Sequence, residues 1–182
     1  RRVTLAGPEH LGRLLGRGGT VIFEGAQGVL LDEWRGFHPH TTWSTTTLEN
    51  ADTLLAEAGF SGSVRRIGIT RAYATRHGAG PLVSECAALT AALPDPRNGD
   101  NPWQCGFRVG WLDLVLLRYA RAAVGHLDEL AVTCLDRLSA LPDLQVCASR
   151  ARAAGPRESD TVIERLPLSA DPRDLDDQAR LT

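Results

Sequence analysis

Thr20-Val21-Ile22-Phe23-Glu24-Gly25-Ala26-Gln27-Gly28 decides the fold class of this chain. Four of its first five residues are β-branched or aromatic, which predicts a buried strand over Thr20–Glu24. The strand breaks directly into a glycine turn, the place where α/β sheets put their ligand-binding loops. Two glycines let backbone approach a ligand closely, and Gln27 offers both a donor and an acceptor to a heterocycle edge. A plain strand-to-loop turn would look the same.

Working outward, the leucines at 11, 14 and 15 predict a short helix over His10–Arg17, stopped at Gly18-Gly19. Downstream, Phe37–Thr47 reads as a polar, Thr-rich loop containing Pro39, and Thr45-Thr46-Thr47 can cap a helix over Leu48–Ala58 that ends at Gly59 or Gly62. Val64–Tyr73 predicts a second strand and Thr75–Pro81 a second glycine-rich loop. Leu89–Gln104 reads as a turn-rich excursion. Gly110–Val124 is the strongest helical pattern, with apolar residues at 112, 115, 116, 119, 120, 123 and 124. Leu130–Leu135 predicts a third core strand, and Leu144–Ala148 and Thr161–Leu166 predict two more. From Asp171 onward the chain is acidic and reads as a frayed tail. Strands alternating with helices indicate an α/β fold: a mainly parallel sheet flanked by helices, in a single domain over residues 1–182.

Composition excludes several chemistries. The chain has 182 residues and a formal net charge of -2, with a sequence pI near 6.2, so no bulk basic field exists to hold nucleic acid. All 20 basic residues are arginine. Without lysine there is no Schiff base, no lysine on a β/γ-phosphate and no lysine general base. No apolar run approaches membrane-spanning length. Cys86, Cys105, Cys134 and Cys147 form no C-x-x-C pair, which argues against zinc and disulfides and predicts reduced, mostly buried thiols in a cytoplasmic protein. The first residue is Arg1, which predicts a processed chain or a fragment.

Further candidate positions fall at the ends of predicted strands. Thr41-Thr42 and Ser44–Thr47 can hold a phosphate at a helix N-terminus, or simply cap the helix. Thr75–Pro81 can line a sugar or phosphate, or be an ordinary loop. Asp136, after Thr133-Cys134-Leu135, can accept two hydrogen bonds from a guanine edge, or cap a turn. His38 and His40 lack a third metal ligand of clear spacing and read as a surface loop.

Together these stretches resemble a known family. Glu24–Asp32 followed by Gly36, Pro39, Thr42 and Thr46-Thr47 is similar to the EGAQG-x-x-LD…G-x-x-P-x-x-T segment of adenylosuccinate synthetase. Ala72–Pro81 with Glu85 resembles that family's AY-x-TRVG-x-GPFPTE, Gly110–Asp113 its GWLD, and Thr133–Asp136 its TKLD. The four occur in family order over roughly residues 20 to 150. The resemblance implies part of the family's P-loop-NTPase-like fold and its reaction. GTP, with Mg²⁺, phosphorylates the purine 6-oxygen of IMP, and L-aspartate displaces the phosphate. It implies IMP contacts at Gln27 (hypoxanthine), Thr42 (5′-phosphate) and His77 and Gly78 (ribose), a guanine contact of GTP at Asp136, and an aspartate contact at Arg108. It also implies a homodimer.

The departures are equally specific. The family's GDEGKGK-type phosphate loop, with its catalytic Asp and the catalytic His that follows, has no counterpart here, so no catalytic residue and no Mg²⁺ ligand is assigned. Cys105 and Phe107 stand where the family binds the aspartate carboxylates, Cys134 where it has the guanine-site lysine, and His77 where it has valine. Three readings follow: part of a divergent synthetase, a non-catalytic purine-nucleotide-binding homologue, or a relative with a changed acceptor amine. This chain alone is expected not to make adenylosuccinate.

Overall fold

The computed structural model describes residues 5–148, 151–154 and 162–165. The tail read from Asp171 onward lies outside them. The chain is α/β, with helices between strands and parallel pairing where distant segments meet. β1 (Ile67–Arg71) pairs in parallel with β5 (Glu129–Thr133), and β4 (Leu112–Asp113) with β6 (Val146–Cys147). β2 (Ala74–His77) pairs antiparallel with β3 (Phe107–Gly110), and β7 (Ala151–Ala154) with β8 (Val162–Arg165).

Four helices join these strands: α1 (Pro8–Leu15), α2 (Glu49–Glu57), α3 (Ala87–Ala92) and α4 (Leu114–Val124). α1 ends at Gly16, and the chain then turns through Gly18 and Gly19 at positive φ. α4 begins four residues later than its apolar pattern. Asp113 explains this: its carboxylate accepts from the backbone N–H groups of Val115 and Leu116, 3.0 and 2.9 Å away, and fixes the first turn.

The core is small and local. Tyr73, Leu89, Leu93 and Val109 form one buried cluster, so α3 packs on the strand β3. A second contact ties the Gly28–Thr47 loop to α4. Phe37 stacks on Tyr119 with ring centroids 6.2 Å apart, and the Tyr119 hydroxyl donates to the Arg35 carbonyl at 2.7 Å.

Four expectations need correction. Thr20–Glu24 forms no strand. It has no paired neighbour among the described residues, and its Ile22 is 84% exposed. Apolar composition makes a segment fit for a sheet, but a strand exists only where a neighbouring backbone pairs with it. Leu89–Gln104 is not all turns, because Leu89 and Leu93 drive α3 into the core. Of the three threonines only Thr47 caps α2, its hydroxyl accepting from the Glu49 N–H at 3.5 Å. The N-cap position of the helix is Leu48, without a side-chain hydrogen bond, and Thr46 is engaged elsewhere. The four cysteines are free but none is fully buried, and Cys105 is exposed.

Candidate functional site

Asp32 builds the first wall of the site. It is fully buried, with 0% exposure. One carboxylate oxygen accepts from the N–H groups of Trp34 and Arg35 at 2.9 and 3.1 Å, and the other from Thr46 N–H at 2.7 Å. Burial pushes this acid up, but the backbone donors of Thr46, Trp34 and Arg35 and the charge of Arg35 outweigh it. The net shift is downward, and the group stays ionised. The Thr46 hydroxyl donates in turn to the Gly28 carbonyl at 2.9 Å. One buried carboxylate therefore sets the path of the chain from Gly28 to Thr46.

That path brings Gln27 to Thr42. The Gln27 amide Nε2 donates to the Thr42 hydroxyl at 3.2 Å, across 15 residues of sequence. Gln27 sits in the left-handed region with φ 65°. Thr42 N–H donates to the Leu31 carbonyl at 2.8 Å.

The second wall is the antiparallel β2–β3 pair with the glycine loop that follows β2. Gly78 has φ 61°, and a Cβ there would lie 2.7 Å from the Gln104 carbonyl oxygen, so glycine is required on two counts. Arg108, on β3, holds this loop. Its guanidinium donates to the carbonyls of Gly78 and Gly80 and meets Glu85 at 2.6 Å. The His77 ring lies against Phe107, centroids 5.0 Å apart.

The walls meet through Arg76, whose Nη2 donates to the His40 carbonyl at 3.2 Å while its Nε donates to the Ala79 carbonyl at 2.9 Å. Between them lies a cavity of about 370 Å³. It is lined by Leu31 and His40 from the first wall, Arg76–Ala79 from the second, and Trp103–Cys105 from the following loop. His77 and Gly78 thus share one cavity, and Gln27 and Thr42 share one hydrogen bond on the adjoining loop. Asp136 is not among the cavity's lining residues. It is exposed, in the short 3-10 turn after β5, where Cys134 turns the chain at φ 60°. Because β1 and β5 are parallel, Asp136 and the approach to β2 leave the same end of that pair.

Sequence reasoning gave no role to Asp32, Arg76 or Trp103. Asp32 ends the Val29–Asp32 motif and could have been found as the lone acid in an apolar run; the other two carry no local signal. Among the described residues, no three His, Cys, Asp or Glu side chains converge on one point. No described helix is long and apolar enough to cross a membrane.

A loop organised by a buried carboxylate, a Gln–Thr contact and a glycine loop over one cavity define an α/β protein with a candidate small-molecule site. Residues 3–171 match the family model described as adenylosuccinate synthetase, and the chain belongs to that family. It is 38% identical over 145 residues to adenylosuccinate synthetase from Thermoplasma volcanium, covering 76% of this chain and 32% of the relative. It is 42% identical over 134 residues to that of Desulforudis audaxviator, covering 71% and 30%. A solved structure of fully ligated adenylosuccinate synthetase from Plasmodium falciparum shares the fold. Its TM-score is 0.69 at 24% identity, with 88% of this chain and 36% of that chain covered. The chain spans about a third of the length of these relatives.

Proposed function

We propose that this chain carries a purine-nucleotide site for the adenylosuccinate synthetase reaction, in which GTP activates the 6-oxygen of IMP for displacement by the amine of L-aspartate. The observation that carries this reading is the 3.2 Å hydrogen bond between Gln27 and Thr42, which joins a base-edge reader to a phosphate-binding hydroxyl. In this reading Gln27 meets the hypoxanthine, Thr42 the 5′-phosphate, and the backbone at His77 and Gly78 the ribose. Asp136 accepts from the guanine edge of GTP, and its exposure leaves both carboxylate oxygens open to a ligand. Arg108 takes the aspartate carboxylate only by exchanging Glu85 for it, since its guanidinium is held by that acid and the glycine loop. In this reading the chain pairs with a second copy, as the family resemblance implies.

Mg²⁺ would neutralise charge on the transferred phosphoryl group, and no step here runs through it. The 182-residue chain by itself binds nucleotide without turnover. Calorimetric titration with IMP and with GTP tests this: saturable heat is expected, reduced for IMP by Thr42→Val and Gln27→Ala. No heat with either nucleotide at millimolar concentration refutes the binding reading, and IMP-, GTP- and aspartate-dependent turnover by the purified chain refutes the inactivity.

A further inference from the structure

Gln27 and Thr42 stand at the two ends of one loop, and the loop's own hydrogen bonds fold it only on itself. Gly36 N–H donates to the Asp32 carbonyl at 2.9 Å, His40 N–H to the Phe37 carbonyl at 2.8 Å, and Thr42 N–H to the Leu31 carbonyl at 2.8 Å. The loop is seated on the protein by α4. The 3-10 turn Val29–Leu31, which follows Gln27 and Gly28, packs on that helix. Nearer Thr42, the Phe37 ring stacks on Tyr119, whose hydroxyl donates to the Arg35 carbonyl at 2.7 Å. Phe37 and Tyr119 are 3% and 4% exposed, so this contact is closed to water. A buried hydroxyl costs free energy unless it finds an acceptor, and this one finds it in the loop backbone. The Arg35 ion pair to Glu49 is a weaker tie, because the acid is more than half exposed. α4 is a firm base: its 11 residues start from the Asp113 cap.

We propose that Tyr119 is a positioning residue for the IMP loop: through the Arg35 carbonyl and the Phe37 ring it holds Thr42 within hydrogen-bond reach of Gln27. The ring supplies packing, which resists separation from α4 but has little direction. The hydroxyl supplies direction, and fixes where along α4 the Arg35–Phe37 stretch sits. Without it that stretch slides while Val29–Leu31 stays seated, and the spacing of Gln27 and Thr42 is no longer set. Tyr119 does not line the cavity and acts only through the loop. Asp136 sits on a different element, after β5, and does not depend on this tie. The inference rests on the proposed function, since it matters to binding only if Gln27 and Thr42 take IMP.

Tyr119→Phe keeps the ring and removes only the hydroxyl. The test is calorimetric titration of the 182-residue chain and of this variant with IMP and, separately, with GTP, at a temperature where circular dichroism shows both fully folded. IMP should bind about two- to tenfold more weakly to the variant, the loss of one hydrogen bond, and GTP should bind as before. Between fully folded chains a difference in global stability moves neither affinity. Hydrogen exchange read by mass spectrometry on the free proteins is the second measurement. The stretch His38–Thr42 should exchange faster in the variant, by about two- to tenfold, while β3 exchanges alike in both. Equal exchange of that stretch overturns the proposal, and so does a parallel weakening of IMP and GTP, which assigns Tyr119 to the fold at large. A wild-type chain that binds IMP in a Gln27-dependent manner, with Tyr119→Phe binding it equally well, keeps the proposed function and removes this inference alone. No IMP binding by the wild-type chain removes both.

Discussion

Asp32→Asn isolates the group on which the whole first wall depends. The substitution keeps size and one acceptor oxygen, which still faces Trp34 and Arg35. The second oxygen becomes an NH₂ group aimed at the Thr46 N–H, which now sits 2.7 Å from its acceptor. A donor then faces a donor. The loss is one charge-assisted hydrogen bond, about 1.5–3 kcal/mol, plus a weakening of the other two as the charge disappears. The sum is about 2–4 kcal/mol. For a chain of this size it lowers the melting temperature by roughly 4–16 °C. Thermal melting followed by circular dichroism measures it. Acid adds a second signature. The folded pKa of Asp32 lies below its ordinary 3.8, so its stabilisation is fully present above the unfolded value and is lost as pH falls through the folded one. The wild-type chain should therefore lose more stability below about pH 4 than Asp32→Asn does. A variant within about 0.5 kcal/mol of wild type, with the same acid profile, would refute the assignment of Asp32 as the organiser.

Three further outcomes follow from the packing and the site. Leu93→Ala empties a position only 1% exposed beside Tyr73, Leu89 and Val109, and should cost about 2–5 kcal/mol in urea unfolding. Gly110→Ala places a Cβ 2.5 Å from the Ser84 carbonyl oxygen. Backbone cannot yield as a side chain tip does, so a loss of about 1–3 kcal/mol is expected in the same assay. Asp136→Asn should weaken GTP binding while leaving the melting temperature within about 2 °C, because the side chain is exposed; a matching fall in stability would assign Asp136 to the fold instead.

What could be read from sequence was what local chemistry decides. The 3.6-residue pattern at 115, 116, 119, 120, 123 and 124 gave α4, and Gly59 at φ 64° ended α2 where expected. Gln27 and Thr42 were each named from local chemistry and the family resemblance, but their contact across 15 residues was not foreseen. Long-range pairings were not legible. β2 and β3 are short and half-polar, and their antiparallel register, Ala74 with Gly110 through His77 with Phe107, joins segments far apart in the chain. The Arg108 clamp on Gly78 and Gly80 likewise spans about 30 residues. Thr20–Glu24 shows the converse: composition suited to a strand, with no pairing partner to make it one.

The β1–β5 pair carries its own consequence for handling the protein. Ile69 is 74% exposed, with Ile67, Leu130 and Val132 between 42% and 48%, beside backbone edges that no third strand occupies among the described residues. An open parallel ribbon with apolar side chains in water is poised to self-associate. In practical terms, the concentration of the sample becomes a variable of every binding experiment. Affinities measured on this chain compare only at matched, low protein concentration, with light scattering recorded alongside.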